Sequence, residues 1–460
     1  MASAFSRRRF LKTTTTTTTG MGLARSGYLA PLLGGGAVPV ALAAESQRLA
    51  LMGGSPVRQS PFPEWPVFDG LEEQALQSVL HSRKWFRGDG QRVNEFETAF
   101  ASLMDSPHAI ATANGTSALF ASLGGLDVGP GDEVILPPYT FIATLNVILL
   151  QHALPIFVDT DPETFQIDAR KMEAAVTDRT TALIPVHLGG NVADLDVIME
   201  ISRRRKVPVI EDACQAHLAE WRGRKVGTIG ATGCFSFQAS KNLNCGEGGA
   251  ILIGDEELAE RCYAFHNNCR GRRVGSYNFT YLGSRGANLR LTEFQAALLV
   301  AQMTRLEAQS RTREQNAGHL TRQLRDLPGI LPAQPHVGCT RNAYHLYMFR
   351  YRKEHFADLP RARFLEALSA EGIPCSGGYS PLNRQEFVKA TLKTRAYQRM
   401  YPADLLAQWE ERTRCPANDQ LCEEAVWFTQ TMLLGPRQDM DDIANAIEKI
   451  HRHAAELAKV

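Results

Sequence analysis

Seven short apolar segments, centred near Ala109, Val134, Ile156, Leu183, Val209, Phe235 and Ile251, recur through this chain, several separated by helically spaced stretches such as LDVIMEISRRRK. Strands interleaved with helices are joined by crossovers rather than hairpins, which makes the sheet mostly parallel and puts helices on both of its faces. The expected fold class is therefore α/β, with a mostly parallel central sheet covered by helices. A stripe of Val93, Phe96, Phe100 and Leu103 marks a helix before the first strand. Further on, Thr292 and Gln295 form a capping-box pattern that opens a long helix, with Phe294, Ala297, Leu298 and Ala301 on its expected buried face. The polar continuation RLEAQSRTREQNAGHL bridges to a smaller C-terminal α+β domain, where YHLYMFRY reads as a strand and RARFLEALSAEGI as a helix closed by Gly372 and Pro374. With 460 residues, 44% of them hydrophobic, the chain can fill two cores. The expected division is a leader over 1–44, a large domain with an N-terminal arm over 45–310, and a small domain over 311–460.

Chemistry concentrates in FSFQASKNLNCGEGG, Phe235 to Gly249, which sets Lys241 between a hydroxyl-bearing strand end and a glycine-rich loop. A lysine amine forms a Schiff base with an aldehyde and becomes nucleophilic when burial or a neighbouring cation lowers its pKa. On its own, such a lysine is more simply a surface residue beside a turn. Upstream, VPVIEDACQAH reads as a buried strand from Val207 to Ile210 that ends in Glu211 and Asp212, followed by Gln215. Ligands of open α/β sheets sit beyond the carboxyl ends of the strands, so Asp212 is expected to face one. A carboxylate there can pair with a protonated ring nitrogen and keep the ring an electron sink, as in an enzyme that uses pyridoxal 5'-phosphate. In HAIATANGTSALFASLGGL a strand, Ala109 to Ala113, turns into a helix opened by Gly115, Thr116 and Ser117. Its unpaired amides and dipole suit a phosphate, although many helices begin this way merely to cap themselves. The next strand delivers Tyr139 and Phe141 to the same edge, for ring stacking or for core packing.

NGTSAL, PPYTFIAT, VHLGG, IEDACQAH, GCFSFQASKNLNCGEGG and GANLRLTEFQAA follow one another in an order and spacing that resembles the DegT/StrS-type sugar aminotransferases, from about Pro61 to the C-terminus. The resemblance implies a fold type I enzyme dependent on pyridoxal phosphate. It implies Lys241 as the Schiff-base lysine, Asp212 on the pyridine nitrogen, Gln215 on the phenolic oxygen and Phe141 as the stacking ring. Gly115, Thr116 and Ser236 match phosphate positions, Ser117 joins them at the helix start, and Asn288 matches a residue that reaches the phosphate of a neighbouring subunit. A homodimer with sites at its interface is implied as well. The implied reaction carries an amino group from glutamate or glutamine to a keto sugar or related carbonyl compound. Two alternatives are a keto-sugar dehydratase, against which the retained Lys241 argues because that branch carries His, and a non-catalytic exported binding protein. Where the family usually reads EDAAQAHG, this chain has Cys214 and Leu218, which is expected to narrow the substrate side of the pocket; Cys245 replaces a common Thr or Ser. Tyr379 is a candidate substrate contact, and His187, His217 and His345 are candidates for the pocket.

SRRRFLK, at Ser6 to Lys12, resembles a twin-arginine export signal, and AVPVALAA offers Ala41 and Ala43 at small cleavage positions after a Thr13 to Thr19 run. An exported, periplasmic protein is the expectation, with a cytoplasmic one as the alternative. Five of the 50 basic residues fall in 1–44, so the body holds 45 against 49 acidic residues, a charge of about −4 that leaves no nucleic-acid footprint. No run of eighteen apolar residues argues for a membrane span. Nine scattered cysteines, with no zinc-like spacing, are expected to be mostly free thiols without a metal site.

Overall fold

Strands between His108 and Ile253 assemble into one sheet in the computed structural model, which describes residues 48–272 and 285–459; the expected leader lies outside them. In chain order these are β1 (His108–Thr112), β2 (Glu133–Leu136), β3 (Leu154–Phe157), β4 (Thr180–Leu183), β5 (Ile210–Asp212), β6 (Thr232–Ser236) and β7 (Gly249–Ile253). The order across the sheet is β1–β7–β6–β5–β4–β2–β3, with β4 and β5 joined by parallel bridges from Leu183 to Val209 and from Val186 to Asp212. β7 runs antiparallel to β1 and β6, and the other neighbours are parallel. The fold is the α/β arrangement of fold type I enzymes.

β5 ends in Glu211 and Asp212, as its sequence reading has it, but it begins at Ile210 rather than Val207. Both carboxylates are tolerated inside a strand because each finds partners. Glu211 accepts hydrogen bonds from the amides of Gly227, Ile229 and Gly230 at 2.6–2.7 Å and meets His187 Nε2 at 3.0 Å. Burial works against its charge, yet His187 and these amides outweigh that and hold the carboxyl below its ordinary pKa.

Helices α1 (Gly70–Ser82), α2 (Arg92–Leu103), α3 (Gly115–Gly125), α4 (Ile142–Leu150), α5 (Leu195–Arg205) and α6 (Glu256–His266) surround the sheet. α2 buries Val93, Phe96 and Phe100, and both phenylalanine rings stand edge-on to Phe237 at 5.3 and 5.4 Å. The long helix α7 (Glu293–Leu324) opens with the expected capping box, Thr292 N–H donating to Gln295 Oε1. Its buried face is turned from the expected one: Ala296, Ala297, Leu299 and Ala301 are buried, whereas Phe294 and Leu298 are half-buried. Phe294 is met instead by the Trp85 ring at 5.6 Å.

A separate apolar core joins the far end of α7 to α8 (Arg361–Ala370), α9 (Arg437–Leu457) and a three-stranded sheet of β8 (Ile330–Pro332), β9 (Leu346–Tyr351) and β10 (Ala425–Thr429). The N-terminal arm packs on this second core, not on the first. Arg58 pairs with Asp439 and Asp442 at 2.7 and 2.9 Å, and Glu371 accepts from the Ala50 amide while pairing with buried Lys449. In the other direction, residues 382–415 return to the edge of the parallel sheet. Tyr397, Tyr401 and Trp409 donate to the carbonyls of Ala153, Asp132 and Pro155.

Leu218 replaces the family's glycine at a backbone position of φ +63°, with its side chain 1% exposed among Val226, Phe235 and Phe237. It fills the core beneath the sheet and does not narrow the cavity, contrary to the sequence expectation. Left-handed backbone penalises a Cβ by about 1–2 kcal/mol. Leu218→Gly is therefore expected to be more stable than Leu218→Ala by about 1 kcal/mol, although both lose the buried side chain. Comparing the urea unfolding midpoints of the two variants checks this reversed order.

Candidate active site

The carboxyl ends of β1, β5 and β6 open onto a cavity of about 730 Å³. β1 passes through Asn114 into α3, and Asn114 Oδ1 accepts from Ser117 N–H at 2.8 Å. That cap leaves the preceding amides at the helix start, those of Gly115 and Thr116, facing the cavity. A Cβ on Gly115 would lie 2.8 Å from both Cys214 Sγ and Ser236 Cβ, so glycine alone lets the helix start this close to the β5 and β6 ends. From β6 the chain enters the loop that carries Lys241. Phe237 N–H donates to the Gly248 carbonyl and Ala239 N–H to that of Gly246, where φ is +88°, and this closes the loop into a tight turn.

Lys241, Asp212, Gly115, Thr116, Phe141, Gln215 and Ser236 all line this one cavity. Two sequence candidates do not. Ser117 is buried, with its amide committed to Asn114. Asn288 is exposed and bridges to Asn267 away from the cavity. Tyr139 is also set back, buried edge-on against Phe165 and Tyr379 at 5.9 and 5.6 Å. By contrast, Phe141 keeps its ring 55% exposed on the cavity wall.

Asp212 is held from two sides. Its Oδ2 accepts from Thr144 Oγ1 at 2.8 Å and its Oδ1 from the Cys214 amide at 3.2 Å. Thr144 belongs to α4 and was missed in the sequence, although a lone hydroxyl in the apolar run IATLNVILL is a signal that could have found it. Gln215 is likewise fixed. Gly189 N–H donates to its Oε1 at 2.7 Å, which turns the amide nitrogen to Tyr379 Oη at 3.3 Å. Burial lowers the Lys241 pKa, and the nearby Cys214 and Asp212 oppose this without cancelling it. The Cys214 thiol moves upward, chiefly through burial and then through Asp212, so it stays protonated beside the lysine.

Of the three candidate histidines, His345 lines the cavity, and its Nδ1 meets Asn242 Oδ1 at 3.2 Å. His187 is spent on Glu211 and on the Ala193 amide. His217 lies between Phe235 and Phe237, and burial drops its pKa to about 3. Trp427, in the middle of β10, and Gln430, just beyond it, complete the wall and were not foreseen. All nine cysteines are free, and among the described residues no group of His, Cys, Asp and Glu could hold a metal ion. No helix of the described residues is long and apolar enough to cross a membrane.

The profile of the DegT/DnrJ/EryC1/StrS aminotransferase family matches residues 67–447. The chain belongs to this family. Within it, the chain is 37% identical over 429 residues to the L-glutamine:2-deoxy-scyllo-inosose aminotransferase of Streptoalloteichus tenebrarius, covering 89% of this chain and 99% of that protein. The L-glutamine:scyllo-inosose aminotransferase of Streptomyces griseus is 36% identical over 430 residues, at the same coverage of both. Among solved structures, 3-amino-5-hydroxybenzoic acid synthase superposes with a TM-score of 0.75 at 33% identity, covering 86% of this chain and all of that one. An aminotransferase from Psychrobacter cryohalolentis gives 0.72 at 30% identity, covering 84% and 98%. This DegT/DnrJ/EryC1/StrS family member is an aminotransferase.

In this family member, Thr144→Val keeps the volume of the helix but takes one donor from the Asp212 carboxylate. A hydrogen bond to a charged group contributes about 1.5–3 kcal/mol, so turnover is expected to fall roughly tenfold or more while the melting temperature moves little. Steady-state kinetics and a thermal melt on the same preparation separate the two effects.

Proposed function

We propose that the cavity holds pyridoxal 5'-phosphate and that the enzyme transfers an amino group from L-glutamine, with glutamate as the second donor candidate, to a keto sugar or a cyclic polyol ketone. The donor and acceptor classes follow the names of relatives that align over nearly their whole length. The observation that carries the reading is the meeting, around one cavity, of a half-buried lysine, a braced carboxylate and an open helix start flanked by two hydroxyl groups. A volume of about 730 Å³ suits a cofactor with a small substrate.

The residues present fit the group. Gly115, Thr116 and Ser236 would take its phosphate, Phe141 its ring face, Asp212 its ring nitrogen and Gln215 its phenolic oxygen, while Lys241 would attach its aldehyde. When bound, pyridoxal phosphate supplies an electron sink for the carbon next to the transferred nitrogen. Lys241, with its pKa lowered by burial, is the base that takes the proton from the donor carbon and returns it across the site. Asp212 stays oriented towards the cavity because Thr144 and the Cys214 amide occupy its outer lone pairs. Gln215 cannot turn its carbonyl inward, since Gly189 holds it, and so presents N–H donors.

Purified enzyme is expected to show a visible absorption band that borohydride abolishes, and to transfer nitrogen from L-glutamine to a keto-inositol. Lys241→Ala should eliminate turnover, and Asp212→Asn should reduce it by roughly 100-fold, the scale of losing a preorganised electrostatic group. Loss of water from the acceptor without net amino transfer would instead identify the dehydratase chemistry, and absence of the band would favour a binding protein.

A homodimer belongs to the same proposal. Val67, Phe68, Leu71, Leu80, Trp85 and Phe86 expose large apolar side chains within twenty residues of sequence, a concentration that supports this reading. Asn288, outside its own chain's cavity, is left available for a neighbour's phosphate. Light scattering is expected to give twice the chain mass, and a monomeric mass would remove this part of the proposal. We also propose that the arginine-rich start directs export in the folded, cofactor-loaded state. Replacing Arg7 and Arg8 by Lys should then retain the protein in the cytoplasm, as cell fractionation would show.

A further inference from the structure

An amino acid donor brings a carboxylate into a cavity whose wall offers, among the described residues, Lys241 as its one lysine and no arginine. Under the aminotransferase reading that lysine is already engaged. Directly behind the wall lies Arg313 of α7, fully buried. Its Nε–H donates to Gln430 Oε1 at 2.8 Å, whereas Nη1 and Nη2 have no hydrogen-bond partner among the described residues. Burial brings its pKa down to about 9, which leaves it cationic at neutral pH, and among the described residues no carboxylate offsets that burial. The Trp65 ring, 5.4 Å from Cζ, is its one aromatic neighbour among the described contacts. A buried, unpaired cation is strongly unfavourable, so its retention calls for an anion supplied from outside the chain.

Gln430 connects this charge to the cavity it lines. Because a guanidinium has no acceptor, the Gln430 carbonyl must face Arg313 and its amide nitrogen must face the other way. There it finds the Ser240 carbonyl at 3.5 Å, at the outer limit for a hydrogen bond and one residue from Lys241. The Gln430 backbone N–H donates to the His345 carbonyl at 3.1 Å, which fixes the residue at the end of β10. Gln430 thus presents an N–H on the lysine side of the site, while the phosphate positions lie at the α3 start.

We propose that Gln430, oriented by Arg313 and backed by its positive charge, binds the α-carboxylate of the amino donor. This assignment rests on the aminotransferase reading. Gln430 is the contact and Arg313 the positioning residue.

The test uses the purified holoenzyme and two donor-shaped probes without an amino group, glutaramate and its uncharged diamide glutaramide, in titration calorimetry. Glutaramate is expected to bind at least about tenfold more tightly than glutaramide, and Gln430→Leu and Arg313→Met should each weaken glutaramate roughly 10- to 100-fold while leaving glutaramide unchanged. The Arg313→Met protein should melt no lower than the parent, because an unpaired buried charge has been removed. In turnover, the KM for L-glutamine should rise in both variants and the KM for the keto-inositol should not. Equal binding of the two probes by the parent, unchanged glutaramate affinity in both variants, or a KM effect confined to the acceptor would overturn the assignment. A drop in melting temperature of Arg313→Met, with both probes weakened alike, would make Arg313 structural and overturn it too. Failure of the underlying reading shows separately, as a parent enzyme without the borohydride-sensitive band or without amino transfer.

Discussion

The site depends on how the buried Glu211 carboxylate anchors the end of β5. Successive side chains of a strand point to opposite faces. Glu211 is fixed on one side by three amides of residues 227–230 and by His187, so Asp212 is committed to the other, where the cavity lies. A slip of one residue would exchange them, turning Glu211 towards the cavity and setting the shorter Asp212 carboxylate against the 227–230 amides. The same contacts pin the approach to β6, whose far end leads into the lysine loop. A residue that touches no substrate thereby sets the geometry of the two that would.

Around that anchor the cavity is built from distant parts of the chain. The sheet contributes Asp212 and Ser236, the turn after β5 contributes Gln215, the helix starts contribute Gly115, Thr116 and Phe141, and the C-terminal region closes the wall with His345, Tyr379, Trp427 and Gln430. Three polar wall residues are each held by a neighbour: Asp212 by Thr144, Gln215 by Gly189 and Gln430 by Arg313. Such bracing keeps reacting groups oriented before a ligand arrives, where most of the electrostatic benefit of an active site originates. The excursion over residues 382–415, tied through Tyr397, Tyr401 and Trp409 to the parallel-sheet edge, keeps the C-terminal wall in register with the rest.

What could be read from the sequence was local. Strand-turn-helix segments carry their own hydrophobic period and breakers, so the sheet, α2, the capping box of α7, and the meeting of Lys241 with Asp212 were all legible. Thr144, Trp427 and Gln430 were less so, because their importance arises from contacts across long sequence separations that no periodicity encodes. The start of β5 was misjudged because Val207 to Val209 carry strand-like residues, whereas the strand begins only at Ile210. Leu218 was misassigned for a different reason. Its position looked like pocket lining by comparison with a glycine, whereas the glycine answers a left-handed backbone, and the side chain now points into the core.

The arm that straps onto the second core has a consequence for how this molecule comes into being. Ser55 receives its hydrogen bond from Lys449, 394 positions later, and Ala50 is held by Glu371, 321 positions later. During synthesis the arm must therefore wait, undocked, until nearly the last helix has left the ribosome. Its apolar residues are unsheltered throughout that interval, and such late, long-range closure is slow and open to misassembly. The finished chain, rather than any growing portion of it, is the first species in which the arm is docked on its core.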